Sequence, residues 1–142
     1  MSHRLYAACI TVLVGVAGCG DASAPDPARF VGTYALVTVN GLPLPASLQP
    51  PEPNPRITVI SGTFVLAPNG RYTFSNTWDE TLAGVTTRRA SSCAGSWTNS
   101  SVTFTFVETQ TADCGDIYTG TWDGNDRLTI ALAPEIEAVL ER

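Results

Sequence analysis

The chain has 142 residues, with 13 acidic against 8 basic side chains, a formal net charge of −5 and no lysine. The absence of lysine excludes Schiff-base chemistry and a Walker-type phosphate loop, and scattered arginines on an acidic chain argue against nucleic-acid binding. The only histidine is His3, so we expect the folded domain to lack a histidine-dependent triad or zinc site. We therefore expect a protein that is not an enzyme and that uses no metal and no cofactor.

The N-terminus has the pattern of a secretory signal peptide. Residues 5–17 are almost purely apolar and follow a short start with one arginine, in a run too short to span a bilayer as a mature helix. They lead into Val16-Ala17-Gly18-Cys19, which resembles the lipobox of bacterial lipoproteins. The resemblance implies that residues 1–18 are removed and that Cys19 is lipidated. The alternative is an ordinary secretory signal that happens to contain a cysteine.

The predicted lipid anchor sets the expected location of the protein. We expect it to be exported and held in the bacterial cell envelope. Gly20 rather than Asp follows Cys19, which by resemblance to Gram-negative sorting favours the outer membrane. Small, polar and proline residues predict that residues 19–29 form the lipidated cysteine and a flexible tether, with the folded domain over residues 30–142.

A signature of glycine, a small hydroxyl residue and an aromatic residue occurs four times in the domain. Its copies are Gly32-Thr33-Tyr34, Gly62-Thr63-Phe64, Gly95-Ser96-Trp97 and Gly120-Thr121-Trp122. Around them large apolar residues alternate with Thr, Ser and Asp, as in half-buried strands, and Asn-Gly and Asp-Gly pairs supply tight turns. The alternation predicts strands over residues 32–39, 57–61, 63–67, 71–82, 85–97, 101–108, 114–122 and 127–132.

The remaining segments decide the architecture. Residues 57–61 and 63–67 are either two strands or one strand bent at Gly62. Residues 136–141 fit a helix or a strand, and we favour a strand because a long antiparallel sheet needs its last edge paired with its first. The proline-rich residues 42–55 are expected to form a long surface connection. Short strands joined by tight turns predict an all-β, antiparallel up-and-down (meander) barrel of about eight strands.

The first strand resembles that of the lipocalins. Residues Phe30-Val31-Gly32-Thr33-Tyr34 are similar to the Gly-x-Trp signature of that family, with Tyr34 in place of Trp. Residues 32–45 resemble the opening of small bacterial lipocalin-like lipoproteins. The resemblance implies a calycin-type barrel that could hold an apolar ligand.

On the predicted strands, the large aromatic side chains occupy positions that point into the barrel. They either line a pocket for a hydrophobic molecule or simply fill the barrel, because an eight-stranded barrel is just wide enough for either. Arg89, with Glu80 and Glu108, is expected to point inward near one mouth, where it would lie opposite Trp78 and could bind a ligand head group. The candidate ligand-binding residues are Tyr72, Phe74, Trp78, Arg89, Trp97, Phe104, Phe106, Tyr118 and Trp122.

Cys93 and Cys114 are expected to form a disulfide, because an exported chain with an even number of cysteines meets an oxidising compartment. In an ideal meander they lie on strands that flank residues 101–108, too far apart to bond unless the intervening loop folds inward. Two buried thiols are the alternative.

The sequence leaves three functions open. The favoured one is a cell-envelope lipoprotein whose barrel binds a small hydrophobic ligand. The second is a non-catalytic structural or interaction protein with a filled barrel, whose protein partner is unknown. The third, a carboxylate-only enzyme, would need two inward acids in an open groove.

Overall fold

A computed structural model describes residues 26–49, 55–109, 117–133 and 136–142 of the chain. In these ranges no helix has the length and apolar character needed to cross a bilayer. The secondary structure is a short 3-10 turn at Pro27–Arg29 and ten strands. The strands are β1 (Gly32–Val39), β2 (Leu42–Pro43), β3 (Ala46–Leu48), β4 (Arg56–Leu66), β5 (Arg71–Leu82), β6 (Val85–Ser100), β7 (Thr103–Glu108), β8 (Ile117–Trp122), β9 (Arg127–Ala133) and β10 (Ile136–Glu141).

Eight of these strands form a closed antiparallel barrel, which confirms the predicted meander. From β4 to β10 each strand pairs with the next one in the chain. The barrel closes because β1 pairs with β10 on one side, with Ala35 opposite Glu141, and with β4 on the other, with Gly32 opposite Leu66. The segment at 136–141 is therefore a strand, and it joins the last edge of the sheet to the first.

Residues 56–66 form one strand, and the bend in it lies before Gly62. The register of β4 against β5 shifts between Val59 and Ser61, while Gly62 pairs regularly with Asn76. Gly62 serves a different purpose, because a Cβ atom there would lie 3.0 Å from Leu36 Cδ2 on β1. The bulge bends the strand, and the missing side chain lets β1 pack closely against it.

The connection after β1 is more ordered than its prolines suggest. Asn40 and Gly41 both have positive φ, 49° and 74°, as in a tight hairpin turn, and β2 pairs back onto β1. β3 then pairs with β4, and its Ala46 is buried in the core. The prediction of a plain surface connection was therefore wrong for residues 42–48, because these residues add two short strands.

The two ends of the barrel differ, and we name them here. The closed end carries the connections at 67–70, 101–102 and 123–126, the N-terminal residues 26–31 and the C-terminal Arg142. The open end lies where β1, β3, β7 and β9 finish. It also carries the β5–β6 hairpin, whose turn is Ala83-Gly84 as the predicted register requires.

Candidate functional site

The closed end is filled by a side chain that comes from outside the strands. Phe30 follows the 3-10 turn and is fully buried. Its ring stands nearly perpendicular to the rings of Phe104 and Trp122, with centroid distances of 4.9 and 5.0 Å. The guanidinium of Arg29 lies 5.0 Å from the Trp122 ring centroid, on the outer side of this cluster. Edge-to-face contacts and a cation–π contact therefore seal this end.

Arg142 ties the N-terminal segment to the barrel. Its Nη1 donates hydrogen bonds to the carbonyl oxygens of Arg29 and Val31, at 3.2 and 3.3 Å, and its Nη2 lies 2.8 Å from Asp126 Oδ1. The same guanidinium stands 5.6 Å from the ring centroid of Tyr34. The hydrogen bond to Asp126 raises the pKa of Arg142. These contacts hold the segment in place over the closed end.

Tyr34 adds a buried hydrogen bond to the same cluster. Its hydroxyl donates to the carbonyl oxygen of Phe30 at 2.7 Å, and its side chain is fully buried. Burial raises the pKa of Tyr34, with Asp126 acting in the same direction and Arg142 opposing them. The hydroxyl thus stays protonated and fixes the residue that seals the barrel.

The predicted aromatic face divides between the core and a cavity. Phe74 and Trp78 line a cavity at the open end. The other aromatic candidates are at most 7% exposed and pack in the core; these are Tyr72, Trp97, Phe104, Phe106, Tyr118 and Trp122. Phe104 stacks on Phe106 with centroids 5.8 Å apart, as expected for a packed interior. The structure therefore brings two of the candidate aromatic residues into a cavity and places the rest in the filled half.

The open-end cavity has a volume of about 340 Å³. Its wall is almost entirely aliphatic and aromatic, with one polar pair formed by Asn76 and Ser91. The hydroxyl of Ser91 donates to the Asn76 side-chain oxygen across the β5–β6 pair. The lining residues are Leu36, Val39, Leu48, Ile57, Val59, Phe74, Asn76, Trp78, Ser91, Leu132 and Ile136. An apolar wall with a single polar position is the usual composition of a small-molecule site.

Arg89 lies at the rim and is engaged by a neighbour. It pairs with Trp78 in the sheet register, as predicted, and its Nε donates to Glu80 Oε2 at 3.0 Å. On the opposite face of the hairpin, Arg88 forms a two-point contact with Asp79 at 2.8 and 2.9 Å. The hydrogen bonds from Arg88 lower the pKa of Asp79. Both arginines are thus neutralised by carboxylates on β5.

Tyr72 and Glu108 each carry a buried side-chain oxygen, and neither residue lines the cavity. A Cβ atom at Gly95 would overlap the Tyr72 ring and the Val107 carbonyl oxygen, so the glycine lets the ring lie against β6. The Tyr72 hydroxyl and Glu108 Oε1 are buried, and neither has a hydrogen-bond partner among the described residues. Burial raises the pKa of Tyr72, and Glu108 raises it further.

A second depression lies on the surface of the closed end, and its charges are paired with one another. It is lined by Asp123, Asn125, Asp126, Arg127, Glu141 and Arg142. Arg127 Nη2 lies 2.6 Å from Glu141 Oε1, and the Asp123 side chain accepts from the backbone of Asn125. Those groups serve the turn and the C-terminus, so we assign the candidate site to the open end.

The predicted disulfide falls partly outside the described residues. Cys93 is buried, 2% exposed, and pairs with Phe74 in the register of β5 and β6. Cys114 and the lipidation candidate Cys19 lie outside the described ranges. The described part of β7 ends at Glu108, opposite Gly95, so it does not reach the level of Cys93. The geometric objection from an ideal meander therefore does not apply within the described strands, and the pairing stays a prediction.

The aliphatic half of the cavity was missed by sequence reasoning, which followed the aromatic residues. Leu36 and Val39 on β1 and Ile57 and Val59 on β4 face the cavity. A bulge between Leu36 and Thr38 shifts the phase of β1 and places Val39 inward. The inward position of Asn76 was available from the sequence, because it lies between Phe74 and Trp78 at period two.

Fold and cavity together define the class: a closed eight-stranded antiparallel barrel, sealed at one end, with an apolar cavity at the other. No family model, no curated protein and no solved structure matches this chain.

Proposed function

We propose that this protein is a lipoprotein of the bacterial cell envelope whose barrel binds a small hydrophobic molecule at the open end, without catalysis. The observation that carries the proposal is the cavity of about 340 Å³ with its apolar wall. Ligand sites in proteins commonly enclose about 300–1,000 Å³ and are lined mainly by hydrophobic side chains. The first-strand residues Gly32-Thr33-Tyr34 support a lipocalin-like barrel as the framework of this function.

A fluorescence titration tests the binding activity. The probe is 1-aminonaphthalene, a small uncharged aromatic molecule whose fluorescence emission rises in apolar surroundings. It is added to the purified protein. We expect saturable binding of one probe per chain. Val59→Trp places a large ring in the cavity wall and should abolish binding, whereas Val107→Trp changes an exposed valine, 44% exposed, and should leave it intact.

The same titration decides between the two leading functions. If the wild-type chain binds no probe and native mass spectrometry finds no associated mass, the filled barrel of a structural or interaction protein is the better description. If Val59→Trp and Val107→Trp bind equally well, the probe binds elsewhere on the surface and the cavity is not the site.

The lipid anchor at Cys19 is the second part of the proposal, and it rests on the small residues before that cysteine. Metabolic labelling with an alkyne-bearing fatty acid should mark the wild-type protein and leave Cys19→Ser unmarked. Membrane fractionation should then place the labelled protein in the envelope, in the outer membrane if the sorting expectation from Gly20 holds. Labelling of both proteins alike would contradict an anchor at Cys19.

A disulfide between Cys93 and Cys114 is the third part, supported by the buried, inward position of Cys93 at the barrel wall. Alkylation of the unfolded, unreduced protein followed by mass spectrometry should leave both cysteines unmodified. Modification of Cys93 in the wild-type protein would contradict the bond.

A further inference from the structure

We infer that the ligand of the open-end cavity is an uncharged hydrophobic molecule of roughly ten non-hydrogen atoms that carries a hydrogen-bond acceptor, such as a ketone or ester carbonyl. This inference rests on the proposed function and names the chemical class of its ligand. The size follows from the volume, because a water-sized group occupies about 30 Å³ in a liquid and the cavity measures about 340 Å³.

The charges around the cavity argue against an anionic ligand. None of the lining residues carries a charge. At the rim, the Arg89 guanidinium is already paired with Glu80 at 3.0 Å. Arg88 pairs with Asp79 on the outer face, and Arg56 is exposed on β4 next to the lining residue Ile57. A carboxylate that entered the cavity would lose its hydration without gaining a counter-charge from the described residues, which is strongly unfavourable.

The polar pair in the cavity wall supplies hydrogen-bond donors. The Ser91 hydroxyl donates to the side-chain oxygen of Asn76. This contact directs the Asn76 amide group, whose nitrogen carries two N–H donors and has no partner among the described residues. Those donors lie in a wall formed by Phe74, Trp78 and aliphatic residues. A carbonyl or ether oxygen on the ligand would satisfy them, whereas a pure hydrocarbon would leave them unpaired.

Three ligands with the same phenylalkyl body test the inference: butylbenzene, 4-phenyl-2-butanone and 3-phenylpropanoate. The affinity of each molecule is measured by its displacement of 1-aminonaphthalene from the wild-type protein at neutral pH. We expect the ketone to bind roughly 2- to 10-fold more tightly than the hydrocarbon, the range expected for one net hydrogen bond. The carboxylate should bind at least roughly tenfold more weakly than the ketone, because its charge would be buried unpaired.

Variants locate the hydrogen bond. Asn76→Leu should remove the preference for the ketone over butylbenzene and leave the affinity for butylbenzene nearly unchanged. Asn99→Leu alters another asparagine of β6, which pairs with Phe104 on β7 and whose amide donates to the Ser101 carbonyl near the closed end, and it should keep the preference.

A pH series on the wild-type protein gives an independent readout that does not depend on any variant folding. The affinity for 3-phenylpropanoate should rise as the pH is lowered towards the ordinary pKa of a carboxylic acid, about 4, because the neutral acid is the form that enters. The affinity for the ketone should stay flat over the same range.

The outcomes separate the two proposals. If butylbenzene binds but the carboxylate matches or exceeds the ketone, or its affinity does not change with pH, the inference is overturned and the binding function stands. If 1-aminonaphthalene binds but none of the three molecules displaces it, or if the ketone binds no more tightly than butylbenzene, the inference is likewise overturned and the binding function stands. If the probe itself does not bind, the proposed function is wrong, and the inference fails with it.

Discussion

The closed and open ends of this barrel are built from the same alternating strands, and they use the inward positions differently. At the closed end, Phe30 enters from outside the sheet and packs on Phe104 and Trp122, while Arg142 holds the segment that carries it. At the open end, the inward positions include Asn76 and Ser91 on neighbouring strands. These side chains are too small to reach the opposite wall of the barrel, and a cavity remains.

The difference shows what decides between a filled barrel and a binding barrel. Eight strands enclose a space that side chains just fill, so a few inward positions change the result. At one end an additional phenylalanine supplies the missing volume. At the other end, the described strands enclose a cavity that their inward side chains do not fill. Stability should therefore depend mainly on the closed end, and ligand binding on the open end.

Removal of the Phe30 ring should be the most damaging change. Phe30→Ala leaves a void beneath two aromatic rings and should lower the free energy of unfolding by about 3–5 kcal/mol, measured by chemical denaturation. Trp78→Ala at the half-buried cavity wall should cost clearly less stability but weaken the binding of 1-aminonaphthalene. If both variants lose stability equally and both keep binding, the two ends are not specialised.

Substitution of two glycines by alanine compares how the filled part of the barrel and the wall of the cavity tolerate an added methyl group. At Gly95 the new atom would overlap the Val107 backbone oxygen and the Tyr72 ring, and Gly95→Ala should cost about 1–3 kcal/mol of stability. At Gly62 the nearest atoms are Leu36 Cδ2 and Cβ, at 3.0 and 3.1 Å, which is a tight contact but not an overlap, and the Leu36 side chain borders the cavity. Gly62→Ala should therefore be milder in denaturation and should weaken probe binding. A larger loss of stability for Gly62→Ala than for Gly95→Ala would contradict the view that the barrel is tightly packed at Gly95 and less tightly packed beside the cavity.

The strand order was predictable because its signals are local. Alternation at period two marks each strand, and the turn at Ala83-Gly84 sets the register that places Arg89 opposite Trp78. Closure of the barrel followed from the need to pair the last edge with the first. The bulge between Leu36 and Thr38 was not predictable, because it reflects how β1 fits between β10 and β4 rather than any local motif.

The position of the cavity could not be read from the alternation. Parity gives the inward face of each strand but not the height at which each residue sits in a tilted barrel, so Phe74 and Phe106 looked equivalent. Nor does parity report side chains that enter from outside the strands: Phe30 precedes the first strand, and it fills the closed end. Parity placed Arg89 and Glu80 at the same mouth but did not show that Glu80 binds the Arg89 guanidinium.

Two buried tyrosines differ in one hydrogen bond, and this allows a matched comparison. The Tyr34 hydroxyl donates to the Phe30 carbonyl at the closed end, so Tyr34→Phe should lower the free energy of unfolding by about 1 kcal/mol. The Tyr72 hydroxyl is buried without a partner among the described residues, so Tyr72→Phe should be neutral or stabilising. Denaturation of both variants checks the difference, and equal losses would mean that the two hydroxyls are equivalently bonded.

The smallest expected effect concerns an exposed ion pair on the open-end hairpin. The hydrogen bonds from Arg88 lower the pKa of Asp79, so the pair stabilises the folded chain above the unfolded pKa of this carboxyl. The contribution is lost as the pH falls through the lowered folded value. Because both side chains reach solvent, the effect on stability should be slight, and carboxyl NMR titration is the suitable measurement. We expect Arg88→Gln to return the pKa of Asp79 towards its ordinary value.

Asp123 at the closed end is the control for that titration, because its pKa is lowered mainly by the backbone N–H of Asn125 rather than by Arg88. Its pKa should not respond to Arg88→Gln. If the pKa of Asp79 also stays low in the variant, its carboxylate is not held by Arg88. The titration therefore tests the exposed ion pair on the outer face of the hairpin, separately from the cavity on the inner face.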